Sequence, residues 1–169
     1  MNFSLSSRIA LTRAGLPATK PTHEQARLQL QLFEERREER LRQAREWVFK
    51  NYIVENFDDS ARVAPPGSEG QQNVMMVLSY CDQACAMLNY GLLHEDLFFE
   101  TTGEFFGVWE AVKKAIPEGR KRFQNPHFAE HLEKAAQRFE EWTEKRSPGQ
   151  IGAMRQMMQQ MRGQQKKAA

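Results

Sequence analysis

The clearest pattern in the sequence is a stripe of apolar residues at helical spacing between residues 71 and 90. The apolar positions recur every three or four residues, as expected for a helix with one buried face. Ser68 and Gln71 precede the stripe with the spacing of a capping box, and Gly91 follows it as a stop signal. We therefore expect the central, most buried helix here, with its core positions at Val74, Val77, Leu78, Cys81, Ala84, Cys85 and Leu88.

Further apolar stripes follow towards the C-terminus, and none of them alternates as a strand would. A short helix is expected from His94 to Glu100 and a longer one from Phe105 to Ile116. Asn125 followed by Pro126 is typical of a helix start, because asparagine caps a helix and proline suits its first turn. The helix predicted from that point carries Phe128, Leu132, Ala135, Ala136, Phe139 and Trp142 on one face.

The N-terminal third has a different pattern, that of a long charged helix over residues 23–56. Thr22 and Gln25 form a capping box, but the run from Glu34 to Arg40 contains no apolar residue. A helix whose middle has no apolar face gains nothing from a core of its own. We therefore expect it to project into solvent and to pair with an antiparallel helix, of a partner or of another copy, through Leu28, Leu30, Leu32 and Phe33.

Proline and glycine between residues 57 and 70 indicate a loop between this long helix and the body. The predicted fold class is all-α, an irregular bundle of four to five helices with a long charged N-terminal helix. The predicted organisation is a flexible basic tail, the long helix, the loop, a compact helical body, and a methionine-rich amphipathic helix with a basic tail, over residues 1–22, 23–56, 57–70, 71–146 and 147–169.

The charge pattern argues against a specific nucleic-acid binder and leaves weak nucleic-acid binding through the two basic ends as a third function, behind the two given below. The net charge is only +2, but no lysine or arginine lies between Val63 and Val112, where seven acidic residues lie. This stretch would repel nucleic acid, and the basic C-terminal residues are too sparse for a specific nucleic-acid site. No run approaches the roughly 18 apolar residues of a membrane span. Without a signal-peptide core or a disulfide framework, a cytoplasmic location is expected.

One motif could carry catalysis. His127, Glu130 and His131 match the H-x-x-E-H pattern, in which two histidines bind zinc and the glutamate acts as general base. A third protein ligand from another element is required, and the chain beyond offers only glutamates on the same helix. The preferred interpretation is therefore two half-exposed surface histidines, and a zinc-dependent hydrolase is the alternative function.

Other chemistry has weaker support. The acidic residues from Glu95 to Glu110 could bind a divalent cation, but they lack calcium-loop and di-metal patterns, so a solvated acidic face is expected. Cys81 and Cys85 have the wrong spacing for the usual dithiol motif and are expected to be small core residues. Nucleophile elbows and phosphate-binding glycine loops are absent, so we predict no catalytic residues and no cofactor.

Several turn and packing residues between Val74 and Trp142 resemble those of an uncharacterised bacterial all-helical family of unknown function. The similar segments are Asn89-Tyr90-Gly91-Leu92-Leu93, Glu95-Asp96-Leu97, Trp109-Glu110, Arg120 or Arg122, and Asn125-Pro126. The resemblance implies a helical fold and no activity. It also implies relatives with an N-terminal membrane segment, where this chain has a charged helix.

These observations favour a non-enzymatic interaction or regulatory protein that binds a partner protein or another copy of itself. Besides the apolar residues of the long helix, the final predicted helix could dock a partner, because flexible methionine side chains adapt to varied surfaces. Packing of the same helix on its own body explains the pattern equally well. The residues concerned are Met154, Met157, Met158 and Met161.

Overall fold

The computed structural model describes residues 20–168, and this part of the chain consists of helices and short connections without a strand. The all-helical fold class is confirmed. The described residues form nine helices rather than four to five, because short helices occupy several predicted connections. They are α1 (His23–Glu35), α2 (Glu39–Asn51), α3 (Phe57–Val63), α4 (Glu69–Asn89), α5 (Glu95–Thr101), α6 (Glu104–Val112), α7 (Ile116–Arg122), α8 (Glu130–Arg146) and α9 (Gln150–Ala168). Residues 1–19 of the predicted basic tail lie outside the described residues.

Helix α4 is the centre of the fold, as predicted. It packs against both α2 and α8, and all seven predicted stripe positions are buried. Its C-terminus is closed at Gly91, whose φ of 77° is in the left-handed region that favours glycine. The N–H of Leu92 donates to the carbonyl of Met87 at 2.9 Å, and the N–H of Gly91 donates to Leu88 at 3.0 Å, which is a Schellman motif.

The long helix predicted for residues 23–56 is not formed, and that prediction is wrong. The chain turns at residues 36–38, where the Glu38 carboxylate accepts the backbone N–H groups of Arg40 at 3.0 Å and Leu41 at 2.7 Å. These backbone hydrogen bonds lower the pKa of Glu38. The polar run therefore forms the turn between two helices. α2 buries Leu41, Ala44 and Val48 and packs along α4 instead of projecting into solvent.

The segment expected to be a loop, residues 57–70, contains helix α3. Asn56 caps this helix by accepting the N–H of Asp59 at 2.8 Å, a local signal that the nearby prolines obscured. A second boundary also differs. Asn125 accepts the N–H of His127 within a turn, and Ala129 has a φ of 56°, so α8 begins at Glu130 rather than after Asn125.

An aromatic cluster joins α5, α6 and α8. The ring centroids of Phe105 lie 5.3 Å from Phe98 and 5.4 Å from Phe139, and those of Phe106 and Phe139 lie 5.2 Å apart. These rings are almost completely buried. Their packing fixes the start of α6 and, with it, the carboxylate of Glu104, which faces α1 and α2.

Candidate functional site

The four residues predicted as the anchor of the first helix lie on two opposite faces of α1. Leu32 is buried and Leu28 packs against the core, whereas Leu30 and Phe33 are 64% and 43% exposed. Arg37 lies just after α1, in the turn at residues 36–38, and its guanidinium is 5.0 Å from the centroid of the Phe33 ring. The outer face of α1 hereafter means Leu30 and Phe33 together with the adjoining Arg37.

The inner face of α1 is attached to the body mainly by polar contacts. The Gln29 amide donates to the hydroxyl groups of Thr101 and Thr102, both at 3.0 Å. The Tyr80 hydroxyl donates to the carbonyl of Leu32 at 2.6 Å. Burial raises the pKa of Tyr80 to about 12, so this hydroxyl stays protonated as the donor.

An ion cluster lies at the C-terminal end of α1. The Arg36 Nε donates to Oε2 of Glu104 at 2.6 Å, and Arg45 holds the same carboxylate through Nε and through Nη2, the latter at 2.8 Å. Arg45 also donates to the backbone carbonyl of Arg36 at 3.2 Å. One glutamate from α6 thus fixes an arginine at the end of α1 and another on α2, with the two-point geometry that guanidinium groups favour.

An open groove lies in front of this cluster. We call it the arginine groove, and its lining residues are Arg36, Arg37, Arg42, Arg45, Glu46, Phe49 and Glu104. This site was not predicted from the sequence. The signal was present as five arginines within ten positions, four of which line the groove, flanked by Phe33 and Phe49, but the continuous helix expected there would have spread them along its length.

A small cavity lies behind the ion cluster, between α1 and the aromatic cluster. It has a volume of about 30 Å³ and is lined mainly by apolar side chains. This volume is far below the several hundred Å³ of a typical small-molecule site. Cys81 lines the cavity, and burial raises the pKa of its thiol to about 12, while burial also raises the pKa of Cys85. Both thiols therefore remain protonated at neutral pH, the state in which they are poor nucleophiles.

The histidine motif does not assemble as a three-residue site. The Nδ1 atom of His127 lies 2.7 Å from the Glu130 carboxylate, but the Nδ1 atom of His131 lies 3.2 Å from the Asn89 side-chain nitrogen. Hydrogen bonds from Lys134 and then from His127 lower the pKa of Glu130 to about 2. Within residues 20–168, no group of three or more His, Cys, Asp or Glu side chains could hold a metal ion.

The acidic residues between Glu95 and Glu110 pair with basic side chains from other parts of the chain. Glu95 pairs with Arg138, Glu100 with Arg146, and Glu110 with Arg155 of α9. Desolvation by burial acts to raise the pKa of Glu110, but hydrogen bonds from Arg155 and Lys113 outweigh it and lower the pKa. The basic C-terminal segment thus meets the acidic middle of its own chain at Arg155.

The methionine stripe is divided between two faces of α9. Met154 and Met158 pack against the core, while Met157 and Met161 are exposed. Ile151 is buried, and its N–H and that of Gly149 are both accepted by the Glu144 carboxylate, which fixes the start of α9. The stripe therefore serves in part as packing and leaves two methionine side chains open to solvent.

The fold and these surfaces define an all-helical protein. Residues 21–139 match the family model described as a domain of unknown function, DUF4760, and the chain belongs to this family. The match extends the resemblance noted over residues 74–142 to include α1 and α2. No curated protein and no solved structure matches the chain significantly. Among residues 20–168, no helix is both long enough and apolar enough to cross a bilayer.

Proposed function

We propose that the protein is a non-enzymatic interaction protein that binds a partner protein through the outer face of α1 and the adjoining arginine groove. The observation that carries this proposal is the composition of that surface. It combines Leu30 and Phe33, both exposed, with guanidinium groups at the α1–α2 turn. Aromatic residues and arginine are enriched in protein interfaces and supply much of their binding energy.

The way α1 is attached supports the same proposal. A helix of 13 residues is marginal by itself in water, so it needs contacts on the body to persist. The inner residues supply them through Leu28, Leu32 and Gln29, while Leu30 is 64% exposed and Phe33, which also lines the small cavity, is 43% exposed. Exposed apolar side chains that occur singly are ordinary, but two neighbours beside an arginine cluster form a compact patch.

The exposed side of α9 provides a second part of the proposed surface. Met157 and Met161 lie one helical turn apart, and both are more than half exposed. Unbranched thioether side chains fill irregular contact surfaces at little energetic cost. We place α9 second because Met154 and Met158, on the same helix, already pack against the core.

The surroundings of the candidate nucleophiles favour a non-enzymatic role. A catalytic cysteine requires an accessible thiolate, whereas Cys81 and Cys85 are buried with raised pKa values. The zinc-hydrolase alternative needs His127 and His131 on one metal with Glu130 as general base, whereas the His127 ring contacts the Glu130 carboxylate and the His131 ring contacts Asn89.

The proposal is tested by quantitative affinity capture with the full chain from extracts of the cell that makes it. The test variant is Leu30→Ser with Phe33→Ser, and the control is Met75→Ser, which removes an exposed apolar side chain from α4. We expect a protein that wild type and control capture equally and that the double variant captures at least tenfold less. Light scattering of the purified chain tells whether that protein is a second copy.

Equal capture by all three proteins would contradict the proposal. The substituted side chains are exposed, so the variants should fold normally, and circular dichroism at equal concentration verifies this. Serine introduces no charge. The experiment therefore tests the apolar part of the surface separately from the arginine groove.

A further inference from the structure

We propose that the arginine groove binds an acidic peptide segment of the partner protein, so that carboxylate side chains of the partner engage Arg37 and Arg42. This inference rests on the proposed function and adds the chemistry of the partner. The groove is lined by four arginines and two glutamates, which leaves a local excess of positive charge. A ligand that complements such a surface is an anion.

Two of the four arginines are available to a ligand. The Arg42 side chain makes no ion pair or hydrogen bond with any residue between 20 and 164. The ion-pair partner of Arg37 is Glu34, at 3.7 Å, and the two side chains are 65% and 71% exposed. A surface pair of that length and exposure contributes little, so a better carboxylate can replace Glu34. Both guanidinium groups therefore have N–H donors available to bind a carboxylate.

The other two arginines form a fixed wall for the same groove. Arg36 and Arg45 share the carboxylate of Glu104, which keeps them in place without neutralising both charges. The Arg37 guanidinium lies over the Phe33 ring, 5.0 Å from its centroid, in the geometry of a cation–π contact. Because these planar groups are already oriented, the arginine side chains lose less conformational entropy when a ligand binds.

The shape and composition of the groove favour a peptide over a nucleic acid. A single-stranded nucleic acid needs free aromatic faces for stacking and a continuous cationic track. Here the Arg37 guanidinium covers one face of the Phe33 ring, while Glu46 and Glu104 interrupt the cationic lining. Phe49 is 42% exposed beside the groove, and Leu30 and Phe33 lie beyond it. A segment that alternates acidic and apolar side chains matches this arrangement.

The inference is tested by fluorescence anisotropy with the full chain at about 0.15 M salt, where surface attraction beyond about 8 Å is screened. The probe is a fluorescein-labelled 12-residue peptide, Glu-Glu-Leu repeated four times. We expect saturable binding by wild type and at least a tenfold weaker affinity for Arg37→Glu with Arg42→Glu. The matched control is Arg62→Glu with Lys121→Glu, whose side chains are 74% and 78% exposed outside the groove.

The control pair should retain the wild-type affinity within a factor of two, although its net charge changes by the same amount. Absence of saturable binding, or equal weakening by both pairs, would overturn the inference. A 12-nucleotide single strand is titrated in parallel, and tighter binding of that strand at the groove would also overturn it. If the peptide fails while capture still depends on Leu30 and Phe33, only the acidic-partner inference is lost and the proposed function stands.

Discussion

The contact between α4 and α8 and the attachment of α1 are built from different kinds of interaction. The α4–α8 contact is mainly apolar, with Leu132, Ala135 and Ala136 in α8 completely buried, and Asp82 and Asn89 of α4 add hydrogen bonds. α1 contributes one buried side chain, Leu32, and the partly buried Leu28, and is otherwise attached through Gln29, Arg36 and the hydroxyl group of Tyr80. Apolar burial drives folding, whereas a single hydrogen bond adds only about 1 kcal/mol.

This difference predicts which segments of the molecule open most readily. Segments with few buried apolar contacts open with a lower free energy than the core does. We therefore expect α4 and α8 to unfold only with the whole body, while α1 separates more readily from the ion cluster around Glu104. Variants that remove one contact of each kind measure this difference in stability.

The largest effect is expected at the apolar contact. Leu132→Ala removes a completely buried side chain, and such substitutions lower the free energy of unfolding by roughly 3 kcal/mol. Urea unfolding followed by circular dichroism measures the change. Leu92→Ala is the control, since Leu92 is 51% exposed, and it should change stability by less than about 0.5 kcal/mol. A loss below about 1 kcal/mol for Leu132→Ala would show that the contact is not the main source of stability.

A smaller and more local effect is expected at the ion cluster. Glu104→Gln leaves Arg36 and Arg45 without their carboxylate, and we expect a loss of about 1 to 2 kcal/mol, reduced by partial solvent exposure. Hydrogen exchange should accelerate in residues 23–35 and remain unchanged in α4 and α8. Glu34→Gln, which affects only the exposed pair with Arg37, should change neither. Faster exchange throughout the body would remove the distinction between the two regions.

A gain in stability is expected where the backbone is strained after α7. Gln124 has a φ of 51°, and the N–H of Asn125 donates to the carbonyl of Arg120 at 3.0 Å, a geometry that glycine favours. Gln124→Gly should therefore stabilise the chain by roughly 0.5 to 1 kcal/mol. The same substitution at exposed Gln137, inside α8, should destabilise it by about 1 kcal/mol. Thermal unfolding of the two variants should give shifts of opposite sign.

The smallest effect is expected at the histidine motif. His131→Ala removes the ring contact with Asn89, but the Asn89 amide also donates to the backbone carbonyl of His131 at 3.1 Å, which the substitution keeps. We expect a loss of less than about 0.5 kcal/mol and much less than one zinc per chain in protein purified without chelator. Stoichiometric zinc that disappears in the variant would instead establish the zinc site and favour the hydrolase function.

The apolar part of the fold was predictable because its signal is local. The stripe from Val74 to Leu88 and the buried positions Leu132, Ala135, Ala136 and Phe139 follow from helical spacing alone. Helix boundaries were less predictable. The start of α8 was placed too early because the left-handed conformation at Ala129 leaves no trace in residue type.

The candidate site was not predictable because it depends on distant contacts. Glu104 lies 68 residues from Arg36 and 59 from Arg45, and nothing in the local sequence announces their ion pairs. Because these ion pairs cannot be seen in the sequence, the pattern of residues 23–56 predicts one continuous helix. The four anchor residues of the first helix were also treated as one group, although helical spacing places Leu28 and Leu32 opposite Leu30. The separation of these residues into buried and exposed ones follows from the contacts that α1 makes with the rest of the structure.

Site-specific photo-crosslinking shows directly whether the outer face of α1 binds a partner. Photoreactive benzoylphenylalanine is placed at Phe33 or at Met75 in the full chain, and the cell that makes the protein is irradiated. Both side chains are about 40% exposed, which makes the positions comparable. We predict a discrete cross-linked product of defined mass from position 33 and none of that mass from position 75. Absence of a discrete product from position 33, or the same product from both positions, would show that the outer face of α1 is not the partner-binding surface.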